Sequence, residues 1–321
     1  MAKKPQILRE IQNKELPKVN YAYQKTISYS QMSMYRSCPH KWALQYKEGL
    51  YDNTPSIHFT FGTAMHEVIQ DWLTVLYEES GAKADQINLE EQFQEKFISL
   101  YQEEYKKNNN THYSSPEELG EFFEDGVAIL DWFKKKRSRY FNKKGTYLVG
   151  CEVPIVIAPN KMFSNVLYMG YLDVVTYNER TDTFKIIDIK TSTKGWNSYA
   201  KKDENKQFQL LLYKQFFSEQ YNIPLDKIEI EFFIVKRKVL SWDDSNIMSP
   251  HQAYRVQTFT PPSGKIKLNK AKTAINEFIK ECFNSNGNIK EKNYPATPSK
   301  WNCTFCPFKE EQELCGEGII Y

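Results

Sequence analysis

Apolar residues recur every three to four positions through much of residues 28–136, the spacing of one buried helix face. SYSQMSMYRSCPHKWALQY predicts two helices, the first capped by Ser30, the second starting near Pro39 with Trp42, Leu44 and Tyr46 available for packing. In FGTAMHEVIQDWLTVLYEE, Gly62 and Thr63 open a helix whose apolar face is Val68, Ile69, Trp72, Leu73, Val75 and Leu76. Residues 88–106 continue as helix and KKNNNTHYSS is a polar loop. Ser115 to Glu118 has the spacing of a capping box, with Pro116 at the first helical position, so a further helix starts there. Near Gly145 the period changes. YLVGCEVPIVIA (147–158), LYMGYLDVVTY (167–177) and TFKIIDIKT (183–191) read as strands, the last two joined by the turn NERTD. A helix from about Asn205 to Glu219 precedes the strands IEIEFFIVKRKV (228–239) and AYRVQTFT (253–260), and a last long helix covers 267–284. Residues 1–27 follow neither period and are expected to be a flexible arm.

This order predicts an α/β protein: a mixed sheet flanked by helices, with a mainly helical part over 28–146, an α/β core over 147–260, and a C-terminal helix and cysteine-rich tail over 261–321, all in one domain. With 40% apolar residues in 321, a large core is available. The net charge of +3 neither requires nor excludes a polyanionic partner, so any basic surface is local. No apolar run is long enough to span a membrane, and the polar N-terminus lacks a signal-peptide core, so a cytoplasmic location is expected. No GxxxxGK phosphate loop is found, which argues against a motor on this chain.

The chemistry concentrates in FKIIDIKTS. Alternation puts Asp188 and Lys190 on one face of a strand, with Ile187 and Ile189 on the other. A hairpin centred on Arg180–Thr181 sets Tyr177 opposite Phe184 and, counting inward, Asp173 opposite Asp188. Facing carboxylates about 4.5–5.5 Å apart destabilise a sheet unless a proton or cation lies between them. A hard divalent ion, Mg²⁺ or Mn²⁺, suits oxygen ligands.

GYLDVV followed by IIDIKTS, that is Asp173 and then Asp188-Ile189-Lys190, resembles the core of the PD-(D/E)XK nuclease superfamily. GTAMHEVIQ resembles the histidine motif of RecB-type members, with His66 near a helix start, and GCEVPIVI supplies Glu152 on the preceding strand. QFQLLLYKQFF resembles a Q-x-x-x-Y motif, with Gln209 and Tyr213 on one helix face. The segment carrying Cys38 and the tail WNCTFCPFKEEQELC resemble the cysteine segments of the same group. Similar organisation is found in the AddB nuclease domain, CRISPR adaptation nucleases and stand-alone phage exonucleases.

The resemblance implies a restriction-endonuclease-like fold and a metal-dependent DNA exonuclease. Asp173, Asp188 and His66 would be metal ligands, with a contribution from the Ile189 carbonyl. Lys190 would meet the scissile phosphate, Glu152 would act in the outer shell or on a second metal, and Gln209 and Tyr213 would hold DNA. Taken alone, His66 reads as a core histidine, and Gln209 and Tyr213 as packing residues.

Cys303-x-x-Cys306 has metal-ligand spacing. The resemblance implies that Cys38, Cys303, Cys306 and Cys315 hold a [4Fe–4S] cluster, with Zn²⁺ as the alternative. The expected substrate is single-stranded DNA or duplex ends, with replication or recombination proteins as further partners. KGWNSYAKKDENK leaves the catalytic strand directly and offers Lys194, Trp196, Lys201 and Lys202 for phosphates and bases. KKKRSRYFNKK (134–144) and VKRKVLSW (235–242) are further basic segments. The competing readings are a non-catalytic DNA-binding or assembly subunit and a CRISPR adaptation nuclease.

Overall fold

A computed structural model describes residues 5–51, 54–141, 144–241 and 250–319. In chain order its elements are α1 (Gln6–Gln12), β1 (Lys25–Ile27), α2 (Tyr29–Ser37), α3 (Pro39–Tyr46), α4 (Ile57–Glu78), α5 (Gly81–Gln86), α6 (Leu89–Lys107) and α7 (Pro116–Lys136). There follow β2 (Thr146–Ile157), β3 (Val166–Asn178), β4 (Thr183–Ser192), α8 (Ser198–Lys202), α9 (Glu204–Tyr221), β5 (Ile228–Lys236), β6 (Val256–Phe259), α10 (Lys265–Cys282) and α11 (Lys300–Cys303).

The strands form one mixed sheet in the order β1-β3-β4-β5-β6, with β2 also on β3. β2 and β4 run antiparallel to β3, β5 runs parallel to β4, and β1 runs parallel to β3. One face carries Val153, Tyr168, Ile186 and Phe232 against α2, α3, α9 and α10, including Trp42, Phe216 and Phe278. The other carries Val174, Ile187, Ile189 and Phe233 against α4, α6 and α7, including Trp72, Phe93 and Phe133. This is the expected sheet between helical layers.

Local signals explain most boundaries. The Ser115 hydroxyl accepts the Glu118 N–H, and Pro116 opens α7 as its capping box predicts. The cap of α2 is Ser28 rather than Ser30, its hydroxyl accepting the Gln31 N–H. α4 begins at Ile57, so Gly62 lies within it. A Cβ at Gly62 would come 3.3 Å from the Thr191 hydroxyl, and the bare backbone lets α4 press against β4.

The N-terminal segment departs from expectation. Residues 5–27 are not a featureless arm: α1 buries Leu8 and Ile11 in the core, and β1 adds to the sheet. Two short apolar anchors separated by polar residues carry too little periodicity to read in advance. Leu8 is fully buried. Leu8→Ala should therefore cost about 2–5 kcal/mol in urea denaturation. A loss below about 0.5 kcal/mol, the range for exposed positions, would return the segment to the status of an arm.

Candidate active site

The β3–β4 hairpin has the predicted register, with Tyr177 opposite Phe184 and Val174 opposite Ile187. One step further would oppose Asp173 and Asp188, and there the ladder stops. Instead the Asp173 carboxylate itself accepts the Ile189 N–H at 2.7 Å. On the same edge of β3, β1 pairs only with Val166, Leu167 and Tyr168. The edge from Met169 to Asp173 therefore has no strand partner among the described residues, and the sheet opens between the two aspartates.

β2 is distorted beside this opening. Glu152 is exposed and has a left-handed backbone (φ 52°), rare for a residue with a Cβ and typical of an irregularity that re-aims a side chain. Gln70 on α4 holds it, donating to Glu152 Oε1 at 2.6 Å and to the Asp173 carbonyl at 2.9 Å. His66, one helical turn before Gln70, puts Nδ1 3.6 Å from Asp173 Oδ2 and makes a backbone hydrogen bond with Ile189. His66, Gln70, Glu152, Gly62, Thr63 and Thr191 line an open cleft of about 490 Å³.

Asp188 is 1% exposed and faces the layer of α9. Lys190 Nζ lies 2.7 Å from its Oδ2, while Oδ1 is buried with no hydrogen-bond donor. Lys190 is thus the counter-charge of Asp188 within the strand. Burial pushes both carboxyls up to about 6, with Lys190 acting in the opposite direction. Burial alone would lower the Lys190 ammonium, but Asp188 and then Asp173 outweigh it and leave it raised. His66 is lowered, first by burial and then by Lys190.

An unsatisfied buried carboxylate oxygen, a second carboxylate and an imidazole are a donor set that suits a hard divalent cation. Among the described residues, however, no three His, Cys, Asp or Glu side chains already form a metal-holding group. The same holds for the tail. Cys38, Cys303, Cys306 and Cys315 do line one cavity, beside His40. The [4Fe–4S] expectation is nevertheless not supported by the side-chain arrangement.

The expected DNA-contact residues divide. Tyr213 is buried against Gly170, where a Cβ would meet its ring at 3.1 Å, and Gln209 donates to its hydroxyl at 3.4 Å. The Tyr213 ring thus faces the core beside the opening rather than solvent. Trp196 packs on Phe232 and Phe259. Lys194 and Lys202 are exposed, and Lys201 lies 5.8 Å over the Phe259 ring. Residues 142–143 of KKKRSRYFNKK and Trp242 of VKRKVLSW lie outside the described residues. In the latter segment Lys236 and Arg237 are buried, and Arg237 stacks 3.4 Å over Phe122.

Sequence reasoning missed Gln70, although its position four residues after His66 on one helix face marks it. It also missed Tyr29 and Tyr168, which lie within electrostatic range of Asp188 but are distant from it in sequence.

A family model for the PD-(D/E)XK nuclease superfamily matches residues 26–311. The chain belongs to that superfamily. No curated protein matches the chain. Membership implies nuclease, and so hydrolase, activity on DNA. No helix among the described residues is long and apolar enough to cross a membrane.

The raised carboxyls give a sign for pH dependence. The folded state holds these protons more tightly than the unfolded chain, whose carboxyls titrate near pH 4. Their contribution to stability is present below that pH and is lost as pH rises through about 6. In EDTA, wild type should lose more urea stability between pH 4 and 7 than Asp188→Asn. Parallel curves would show that Asp188 is not perturbed by burial.

Proposed function

We propose that the protein is a Mg²⁺- or Mn²⁺-dependent deoxyribonuclease that acts as an exonuclease on single-stranded DNA or DNA ends, in replication, recombination or repair. The observation that carries the catalytic part is the opening between β3 and β4, where the buried, half-satisfied Asp188 meets Asp173, Lys190 and a cleft containing His66 and Glu152. The exonuclease part is supported by the RecB-type order of motifs along the chain.

In this reading Asp173, Asp188 and His66 hold the divalent ion, with the Ile189 carbonyl as an additional donor. When bound, the ion supplies Lewis acidity and lowers the pKa of a water. The protein's own residues do the remainder. Lys190, 32% exposed at its side chain, offers an ammonium to charge developing on the phosphate. Gln70 fixes Glu152 at the cleft, where its carboxylate orders incoming water. Gln209 and Tyr213 brace the wall of the opening beside Gly170. Lys194, Lys202 and Lys201, on the segment leaving β4, attract the strand, with Trp196 anchoring that segment.

In this reading Cys38 and the tail cysteines Cys303, Cys306 and Cys315, which line one cavity, would supply thiolates for a structural metal, iron–sulfur or zinc. Anaerobically purified protein should carry iron with sulfide, or zinc, and lose it in Cys303→Ser. Metal-free wild type with unchanged folding would remove this part alone.

End-labelled single- and double-stranded DNA should be degraded with Mg²⁺ or Mn²⁺ and remain intact in EDTA. Asp188→Ala should abolish the activity, and Lys190→Ala should lower kcat about 10²–10³-fold, the usual effect of losing a preorganised electrostatic group. Equal degradation by wild type and Asp188→Ala would overturn the catalytic assignment. Binding without cleavage would favour a non-catalytic subunit.

A further inference from the structure

A second cavity, of about 350 Å³, lies at the β6 edge of the sheet, lined by Arg139, Tyr140, Lys201, Tyr254, Gln257 and Thr258. Three segments distant in sequence meet here: the chain just after α7, the helix α8 that follows the catalytic strand, and the approach to β6. Two of them are the basic, aromatic-rich stretches 134–144 and 194–206.

The cations of 134–144 are not equivalent. Lys134 donates to the Ile87 carbonyl, Lys135 pairs with Asp131, and Arg137 pairs with Asp85 while lying over Trp72. Arg139 instead lies 4.7 Å over the Tyr254 ring at the cavity, exposed to solvent. Arg139 also hydrogen-bonds the Tyr254 side chain, and the remaining N–H groups of its five-donor guanidinium are those that would receive a phosphate. Lys201 brings a second cation to the same cavity.

The cavity is coupled to the opening through the sheet. Lys190 pairs with Ile234 on β5, and Ile234 pairs with Gln257 on β6. Two strand spacings separate Lys190 from Gln257, about 10 Å. The Gln257 side chain accepts the Trp196 N–H at 2.8 Å and donates to the Trp196 carbonyl at 3.2 Å, fixing the loop that leaves β4 against the cavity wall. An extended strand with its scissile phosphate at Lys190 reaches the cavity within a few nucleotides.

We infer that this cavity is a second nucleic-acid subsite, in which Arg139 and Lys201 hold a backbone phosphate of a single strand whose cleaved bond lies at Lys190. The inference rests on the nuclease reading for its direction, but its test does not need turnover. Binding of fluorescein-labelled dT12 and dT2 is measured by anisotropy in EDTA for wild type, Arg139→Glu/Lys201→Glu, and a control with the same charge change at the exposed Lys161 and Lys280. The cavity variant should bind dT12 at least tenfold more weakly than wild type. The slope of log affinity against log salt should be shallower by about 1.4, from two lost single-strand phosphate contacts. The control should stay within about threefold of wild type, and dT2, too short to bridge both places, should show no comparable loss. The subsite is refuted if the cavity variant binds dT12 as wild type does, or if the control weakens equally. Far-UV circular dichroism and urea midpoints check that both variants fold. Loss of DNA hydrolysis in the earlier assay would leave this binding result standing, and the converse also holds.

Discussion

The site depends on one substitution of hydrogen-bond partner. Along β3 and β4 the ladder runs in register until the next pair would be two aspartates. Opposed like charges are unfavourable in a sheet, and a backbone N–H left without an acceptor is costly too. The Asp173 side chain resolves both by accepting the Ile189 N–H in place of a strand carbonyl. The strands are thereby released from each other without an orphaned donor, and the space between them becomes the opening into which His66 and Lys190 reach.

Charge balance at the opening follows from burial. Asp188 has almost no contact with water, so its charged form is disfavoured, and Lys190 offsets only part of that. Half of the carboxylate stays unpaired. A buried acceptor without a donor is a standing cost to stability, which folds tolerate where a ligand or reaction uses it. Gln70 shows the complementary strategy. It ties the strained Glu152 to the Asp173 backbone, so that both carboxylate-bearing strands are indexed to the same turn of α4.

Much of this was legible in residue order. Alternation in FKIIDIKTS and the NERTD turn were enough to put Asp188 and Lys190 on one strand face and to give the hairpin register that brings Asp173 toward Asp188. The spacing around Ser115 and Pro116 gave the start of α7. What failed was non-local. β1 is three residues long and owes its place to an edge of β3, which no pattern in KTI announces. Trp196 looks like a contact for bases in a list of aromatics, yet it packs on the rings of Phe232 and Phe259, and the Tyr213 ring lies against Gly170. Arg139 and Tyr254 meet only because α7 ends beside the β6 edge.

The central claim is that the opening between β3 and β4 holds two buried carboxylates that lose their protons together with binding a divalent ion. Mn²⁺ titration followed by electron paramagnetic resonance, with the tail cysteines reduced, tests it most directly. Wild type should bind Mn²⁺ at pH 7.5, lose affinity as the pH falls through about 6, and bind far more weakly after Asp188→Asn. Mn²⁺ binding that ignores both the pH and the substitution would contradict it.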